Sequence, residues 1–324
     1  MKKPYIVAEI AQGYEGSEKL VALYVKAASV AGADAIKFQI FYADELALPD
    51  YKYYQLFKSL ELPVSVWDMS VKEAHAKGME FYSDVFGSES LSMLEKIGVD
   101  GYKIHTTDIN NTRLLKLVAK TQKKVYLSTG GCEQEEIEKA LEILNGCHIT
   151  LMYGFQAEPT ETEDNNLNRI QTLKKKYNKP VGFQDHSAGD SELAVYLPFV
   201  ALGAGADVIE KHLTLSRAAE IEDYISALTP EEFREWASLL RAAYSGLGKS
   251  EWVLTEKEHQ YRGKVQRAIC TVKEIEKGEL ISSDNVTMKR TDMEDVIYEI
   301  SNAVGKKAAR NIQKNIPIRK GDIH

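Results

Sequence analysis

The sequence predicts an α/β protein, a (β/α)8 or TIM barrel followed by a small, mostly-β domain. Three observations lead to this fold class. Short β-branched or aromatic runs alternate with longer amphipathic segments, eight such pairs fill about 245 residues, and the alternation then stops. A doubly wound sheet is the alternative arrangement, but no glycine-rich fingerprint follows the first strand.

Eight candidate strands occur in chain order, near 5–9, 35–39, 79–83, 100–104, 124–128, 148–153, 180–185 and 207–212. Between them, segments such as 19–28 and 135–144 carry apolar residues at i, i+3, i+4 and i+7, a spacing typical of helices that pack on one face. Gly32, Gly78 and Gly98 follow such segments and indicate where a helix ends before the next strand.

The alternation ends near residue 247, and the rest of the chain has a different pattern. We divide the chain into a barrel domain over 1–247, a polar linker over 248–263 and a small domain over 264–324. Turn residues bound three short strand-like runs in the small domain, near 267–272, 277–281 and 285–290. This pattern predicts a compact β-rich module.

Composition narrows the possible functions. A chain of 324 residues with 44% hydrophobic content can bury one large core and still carry a smaller domain. The net charge of −7 gives no positive field, so we expect no nucleic-acid partner. No apolar run is long enough for a signal peptide or a membrane span, and the three cysteines lack zinc-like or disulfide-like spacing. We therefore expect a cytoplasmic protein that does not bind membranes.

Two histidines close successive strands of the predicted barrel. His186 follows the run 180–185, and His212 ends the run 207–212. Because the carboxyl ends of barrel strands meet at one face, the two imidazoles are expected to lie side by side. A lone histidine is more often a hydrogen-bonded core residue, but two neutral nitrogen donors at equivalent positions can hold one divalent metal ion.

Other polar residues end the predicted strands at the same face. Glu9 ends the first strand, Lys37 and Gln39 end the second, Lys103 ends the fourth, and Ser128 opens a glycine-rich turn after the fifth. The lysines supply positive charge, and the serine hydroxyl with the amides of its turn can bind phosphate oxygens. Each residue alone could point to solvent, but together they predict an anion and metal site at the barrel mouth.

Short motifs occur in a fixed order across both domains, namely Ala8-Glu9-Ile10, Lys37-Phe38-Gln39, Lys103-Ile104, Asp108-Ile109-Asn110-Asn111, Ser128-Thr129-Gly130, Asp185-His186-Ser187-Ala188-Gly189, Ile209-Glu210-Lys211-His212, Arg267-Ala268-Ile269 and Lys289-Arg290. Each motif alone is weak, but their order and spacing are specific. Over nearly its whole length the chain resembles the N-acetylneuraminate (sialic acid) synthase family, including its C-terminal antifreeze-like, or SAF, domain of the β-clip type.

The resemblance implies a transferase of polysaccharide biosynthesis. Members condense phosphoenolpyruvate with an open-chain aldose, N-acetylmannosamine or a related amino sugar, to give a 2-keto-3-deoxy (nonulosonic) sugar acid and phosphate. His186 and His212 would bind Mn²⁺ or Mg²⁺, which polarises the aldehyde oxygen. The resemblance also implies catalytic roles for Glu9, Asp108 and Asp223.

The substrate-binding residues expected from the resemblance are Lys37, Gln39, Lys103, Ser128 and Arg290, together with Gln156 and Gln184, which stand where the family pattern has other residues. Arg290 would reach the mouth of the neighbouring barrel in a domain-swapped homodimer. The chain departs from the family pattern at Asp84, which stands where a phosphate-binding threonine is usual. Two alternative functions stay open: a sugar-binding barrel with altered catalysis, and an aldolase that uses Lys37 or Lys103 as a Schiff base.

Overall fold

The computed structural model describes residues 4–155 and 157–324, and the chain divides into two compact units, Met1–Gly248 and Lys249–His324. In the first unit, eight parallel strands close into a barrel in sequence order. They are β1 (Tyr5–Ala11), β2 (Ala35–Gln39), β3 (Glu80–Asp84), β4 (Gly101–Ile104), β5 (Lys124–Ser128), β6 (His148–Gly154), β7 (Val181–Asp185) and β8 (Val208–His212). The predicted barrel is confirmed, and every strand begins and ends within two residues of its predicted limits.

Helices link the strands on the outside of the barrel. They are α1 (Glu18–Val30), α2 (Ala43–Leu46), α3 (Tyr54–Ser59), α4 (Val64–Ala76), α5 (Ser88–Ile97), α6 (Thr112–Thr121), α7 (Gln134–Ile143), α8 (Arg169–Tyr177), α9 (Leu193–Gly203) and α10 (Pro230–Ser245). α6 shows the local rules: the Asn111 side chain accepts the Leu114 N–H at its start, and Leu114, Leu115 and Val118 are buried. Within the described residues, no helix combines the length and apolar character that a bilayer crossing requires.

Apolar residues fill two layers of the barrel unit. One layer is the inside of the barrel, formed by Val7, Ala35, Tyr82, Tyr126, Met152 and Val208. A larger layer lies between the strands and the helices and includes Phe38, Trp67, Phe81 and Ile209. Because side chains alternate along a strand, Val208 and Ile209 belong to different layers, and Glu210 and His212 return to the inside.

The second unit contains α11 (Glu256–Val265) and an antiparallel pair, β9 (Ala268–Thr271) and β10 (Val286–Lys289). The run near 277–281 forms an isolated bridge at Leu280 instead of a strand. Isolated antiparallel bridges connect most of the rest, in agreement with a small β-rich domain.

The segment 248–263, predicted to be a polar linker, contains most of the helix α11. A capping box between Thr255 and Glu258 starts this helix, and none of its residues is buried. A helix without an apolar face leaves no periodic hydrophobic signal in the sequence, which explains the difference from the prediction.

Candidate active site

A cavity of about 80 Å³ opens where the barrel strands end. It brings together most of the predicted site residues, namely Glu9, Lys37, Gln39, Lys103, Ser128, Gln184, His186, His212 and Asp223. The other residues that line it are Asp84, His105, Phe155, Glu158 and Glu210. The predicted convergence of lysines and histidines at one mouth is therefore present in the structure.

The two histidines face each other inside this cavity, with 3.2 Å between the Nε2 atoms of His186 and His212. His186 Nδ1 lies 3.2 Å from the Gln184 carbonyl oxygen, which can only accept, so Nδ1 carries the proton and Nε2 presents a lone pair. Burial lowers the pKa of His186 to about 4 and also lowers the pKa of His212, where His186 adds to the effect. Both rings are thus neutral at physiological pH, as metal ligands must be.

The histidine pair fits one divalent metal ion. Two nitrogen ligands with metal bonds of about 2.1 Å are separated by roughly 3–3.5 Å, which agrees with the observed spacing. Across residues 4–155 and 157–324, no group of three or more His, Cys, Asp or Glu is arranged around a metal position. Within these residues the histidine pair offers two nitrogen ligands, and an ion held there would have positions open for substrate and water.

Lys37 is buried between two carboxylates. Its Nζ contacts Glu9 and Asp84, and all three residues are at most 3% exposed. Although burial alone would lower it, Asp84 and Glu9 hold the pKa of Lys37 above its ordinary value. Burial raises the pKa of Glu9 to about 7 in spite of the nearby lysine. The cluster therefore contains a permanent cation and a carboxyl that titrates near neutral pH.

Lys103 forms a second buried ion pair on the other side of the mouth. Its Nζ reaches across the barrel from β4 to Glu210 on β8. Burial raises the pKa of Glu210, but Lys103 and Lys37 outweigh this effect and lower it overall. Both cationic groups predicted for anion binding thus already have carboxylate partners within the protein.

Ser128 is oriented by its neighbours. Gln184 Nε2 donates to Ser128 Oγ at 3.0 Å and to the Gly154 carbonyl oxygen at 3.1 Å. A Cβ atom on Gly130 would lie 2.1 Å from the same carbonyl oxygen, so the turn after β5 needs glycine to pack against β6. This close packing explains the glycine, while phosphate binding by the turn stays a prediction.

Asp223 forms an acid pair with Glu158 at the rim. Burial raises the pKa of Asp223 to about 8, and the charge of Glu158 and a hydrogen bond to it add to the effect. Two carboxyl groups can share a hydrogen bond only if one is protonated. Asp223 therefore holds a proton at neutral pH, close to the histidine pair, since its Oδ2 lies 3.8 Å from His212 Nδ1.

Among the described residues of the barrel unit, the predicted residue Asp108 does not line the cavity. Asp108 is half-buried before α6, where its Oδ1 accepts a hydrogen bond from Asn111 Nδ2 at 2.9 Å. Asp108 thus contacts the residue that caps α6, and its catalytic role stays a prediction. Gln156 lies outside the described residues, and Arg290 is an exposed residue after β10 in the second unit.

Some cavity residues were not predicted, although the sequence carried a signal for two of them. Glu210 stands two residues before His212 on the same strand, so both side chains face the same side. His105 directly follows β4, as His186 follows β7. Phe155 and Glu158 lie in a loop, where side chains follow no periodic pattern that could have predicted them.

Phe155 packs on His186 with 4.5 Å between ring centroids, and its φ of 64° is rare for an aromatic residue.

A buried ion pair lies directly behind the histidines. Lys211 Nζ is 2.9 Å from Asp185 Oδ2 and 3.2 Å from the Ser187 carbonyl oxygen, and neither charged side chain is exposed. Asp185 Oδ1 in turn accepts hydrogen bonds from the Ser187 N–H and hydroxyl. Because Lys211 and Asp185 are each adjacent in sequence to one histidine, this pair fixes the alignment of the two strands that carry the possible metal ligands.

The chain has a closed barrel of eight parallel strands, with a histidine pair and buried lysine–carboxylate pairs where the strands end. This is the arrangement of a TIM-barrel enzyme, whose active site lies at that face. The NeuB family matches residues 24–251, and the SAF domain matches residues 266–324. The chain belongs to the NeuB family and carries an SAF domain, which confirms the resemblance to sialic acid synthases. The prediction of a synthase-class enzyme is confirmed by the relatives described next.

The chain is 32% identical over 341 residues to the pseudaminic acid synthase of Campylobacter jejuni subsp. jejuni, covering 99% of this chain and 97% of the relative. It is 30% identical to the N,N'-diacetyllegionaminic acid synthase of Legionella pneumophila subsp. pneumophila, with 95% and 91% coverage. Among solved structures, the N-acetylneuraminic acid (sialic acid) synthetase of Leptospira borgpetersenii serovar Hardjo-bovis, in complex with citrate, matches with a TM-score of 0.75 and 29% identity, over 82% of this chain and 93% of that one.

Proposed function

We propose that the chain condenses phosphoenolpyruvate with the open-chain form of an aldose, giving a 2-keto-3-deoxy, nonulosonic sugar acid and phosphate. The observation that carries this proposal is the pairing of His186 and His212 beside Lys37 and Lys103 in one buried cavity. Relatives named as pseudaminic acid and N,N'-diacetyllegionaminic acid synthases support the product class. The three free cysteines suit the reducing cytoplasm, where we place the reaction.

In this proposal the residues of the mouth bind and orient the two substrates. Lys37 and Lys103 attract the carboxylate and phosphate of phosphoenolpyruvate, and the Ser128 hydroxyl, held by Gln184, donates to one of their oxygens. Mn²⁺ or Mg²⁺ at His186 and His212 supplies a Lewis acid for the aldehyde oxygen when it is bound.

The reaction forms one carbon–carbon bond and one carbon–oxygen bond to water, and it breaks the carbon–oxygen bond to phosphate. C3 of phosphoenolpyruvate attacks the aldehyde carbon, and the protonated Asp223 gives its proton to the developing alkoxide. Water then adds to the cationic C2, and Glu9, with its pKa raised to about 7 by burial, accepts the released proton. Cleavage of the bond from C2 to the phosphate oxygen expels phosphate, which takes the proton of the C2 hydroxyl, and leaves the keto acid.

The structure disfavours the Schiff-base alternative for Lys37. A Schiff base requires a neutral amine, but two carboxylates surround Lys37 and raise its pKa. Treatment with borohydride and a keto acid tests this directly for both lysines. We expect no covalent adduct, and a stable adduct on Lys37 or Lys103 would favour the aldolase.

The direct test of the proposed function is phosphate release from phosphoenolpyruvate with a panel of aldoses, after chelation and with added Mn²⁺. We expect release only when an aldose and the metal are both present. Omission of the aldose is the matched control for hydrolysis of phosphoenolpyruvate alone. Sugar binding without phosphate release from any aldose would favour the alternative of a sugar-binding barrel.

We also propose that the enzyme is a homodimer in which the partner subunit's Arg290 contacts the sugar. This part rests on the resemblance to the family. If it holds, inactive Arg290→Ala and His186→Ala chains regain activity on mixing, because one mouth of the heterodimer receives an intact arginine and an intact metal site. A monomer by light scattering, or no recovery despite proven subunit exchange, contradicts this arrangement.

A further inference from the structure

The cavity carries more negative than positive charge. Its carboxylates outnumber its lysines by five to two, with Glu9, Asp84, Glu158, Glu210 and Asp223 against Lys37 and Lys103. If Glu9 and Asp223 are both protonated, three carboxylates still face two lysines. A divalent ion at the histidines would be offset by the charge of phosphoenolpyruvate, so the deficit of positive charge persists in the loaded site.

The same cavity contains buried atoms without a hydrogen-bond partner, and all of them are acceptors. They are Asp84 Oδ1, Glu210 Oε2 and Gln184 Oε1, on residues that are at most 2% exposed. The orientation of the Gln184 amide is fixed, because its nitrogen donates to the Gly154 carbonyl oxygen, which can only accept. Elsewhere in the described chain, the unpartnered buried side-chain atoms are the donors Trp236 Nε1 and Arg241 Nε.

A ligand that completes this cavity must therefore bring hydrogen-bond donors. Phosphoenolpyruvate offers carboxylate and phosphate oxygens, which mainly accept and cannot satisfy Asp84 Oδ1. A neutral hydroxyl group would supply the hydrogen bond but not the missing positive charge. A protonated amine supplies both, and charge-assisted bonds to buried carboxylates are about twice as strong as neutral ones.

We propose, as an extension of the proposed function, that the aldose substrate carries a free, protonated amino group that binds the unpartnered oxygens of Asp84 and Glu210. Asp84 is the specificity-determining residue, since it lines the cavity, its Oδ2 contacts Lys37, and its buried Oδ1 has no hydrogen-bond partner. The substrate class is thus an amino sugar whose nitrogen is not acetylated.

Calorimetric titration of the full chain with mannosamine, N-acetylmannosamine and mannose tests this proposal, at a pH where the free amine is protonated. We expect mannosamine to bind at least about tenfold more tightly than the other two sugars. Asp84→Asn keeps the shape and the contact with Lys37 but removes the charge, so the preference should fall to near onefold. Asp68→Asn is the matched control, because Asp68 is a surface carboxylate paired with Lys72 at 2.7 Å, and it should keep the preference.

Equal binding of the three sugars, or a preference that survives in Asp84→Asn, overturns the proposal. Phosphate release from phosphoenolpyruvate with N-acetylmannosamine at a higher kcat/KM than with mannosamine also overturns it, although the proposed synthase function would then stand. Conversely, an Asp84-dependent preference without phosphate release from any sugar keeps the amine site and removes the synthase function.

Discussion

The two ends of the barrel carry polar clusters that differ in how fully they are hydrogen-bonded. At the end where the strands begin, Glu80 accepts hydrogen bonds from Tyr5, Tyr82 and Lys124, and the Tyr82 ring stacks on Tyr126. At the mouth, three buried acceptors lack partners, Lys37 lies between two carboxylates, and Lys103 pairs with a third. Buried polar groups are normally satisfied, so a saturated cluster indicates a structural role and an unsaturated one indicates a place for a ligand.

The largest effect expected from this difference concerns the metal. His186→Ala should reduce metal affinity and activity by at least about a hundredfold, since a Lewis acid contributes several kcal/mol, while the thermal unfolding midpoint without metal stays close to that of the wild type. Titration calorimetry with Mn²⁺ and thermal unfolding measure the two effects. His148→Ala is the control, because His148 is an exposed residue at the other end of the barrel. Full activity of a His186→Ala, His212→Ala double variant after exhaustive chelation would exclude the metal role.

A smaller effect is expected for phosphoenolpyruvate binding. Replacing Lys37 or Lys103 by Met should raise the Michaelis constant for phosphoenolpyruvate about tenfold or more, because charge-assisted hydrogen bonds contribute roughly 1.5–3 kcal/mol each. The same change at Lys124, at the opposite end of the barrel, should leave this constant unaltered. Steady-state kinetics measure the Michaelis constant for phosphoenolpyruvate in each variant. Equal values for the three variants would mean that the anion site lies elsewhere.

In the hydrogen-bonded cluster around Glu80, a substitution should lower stability and leave ligand binding unchanged. Glu80→Ala removes the acceptor of Tyr82, which is fully buried, so it should cost about 1–3 kcal/mol in the free energy of unfolding. Mn²⁺ and sugar affinities should not change. Denaturant unfolding measures the stability of Glu80→Ala, and calorimetry measures its affinities for Mn²⁺ and sugar. A loss of metal affinity at unchanged stability would contradict the structural role assigned to the cluster around Glu80.

The pH dependence of the unfolding free energy that comes from Glu80 should be smaller than the loss caused by Glu80→Ala. Burial raises the pKa of Glu80, but hydrogen bonds from Lys124, Tyr5 and Tyr82 outweigh it and lower the pKa overall. A lowered folded-state pKa contributes stability above the ordinary value of about 4.3, and this stability is lost as the pH falls through the folded-state value. Between neutral and acidic pH, the wild type should therefore lose slightly more unfolding free energy than Glu80→Gln. An equal loss in both proteins would contradict this contribution.

The smallest expected effect is a gain in affinity for phosphoenolpyruvate at the barrel mouth. Asp84→Thr frees Lys37 from one of its two carboxylate partners, so phosphoenolpyruvate should bind a few-fold more tightly. Fluorescence or calorimetric titration with phosphoenolpyruvate alone provides the measurement. Asp44→Thr serves as the control, because Asp44 pairs with Lys58 on the surface. Weaker binding in Asp84→Thr would show that Asp84 assists the anion.

The strands and the histidine pair could be predicted from sequence because their signals are local. Hydrophobic runs mark the strands, and a histidine at the end of a run marks the mouth. The ion pairs could not be predicted in this way, since Lys37 and Asp84 are 47 residues apart and Lys103 and Glu210 are 107 apart. Which carboxylate each lysine meets depends on the geometry of the closed barrel. The position of Asp108 away from the cavity wall could not be predicted either, because a motif match does not say which way a loop side chain points.

The buried Lys211–Asp185 pair determines which changes of length the chain can tolerate. Deletion of Glu210 would turn Lys211 into the cavity and His212 toward the helices, because successive side chains alternate along a strand. Asp185 would then be left as an unpaired buried charge, at a cost of about 3–5 kcal/mol. A chain with a shifted strand would therefore be too unstable to fold into a barrel with a defective site. Insertions and deletions can therefore accumulate in the connecting loops, while the spacing within 184–186 and 210–212 stays fixed.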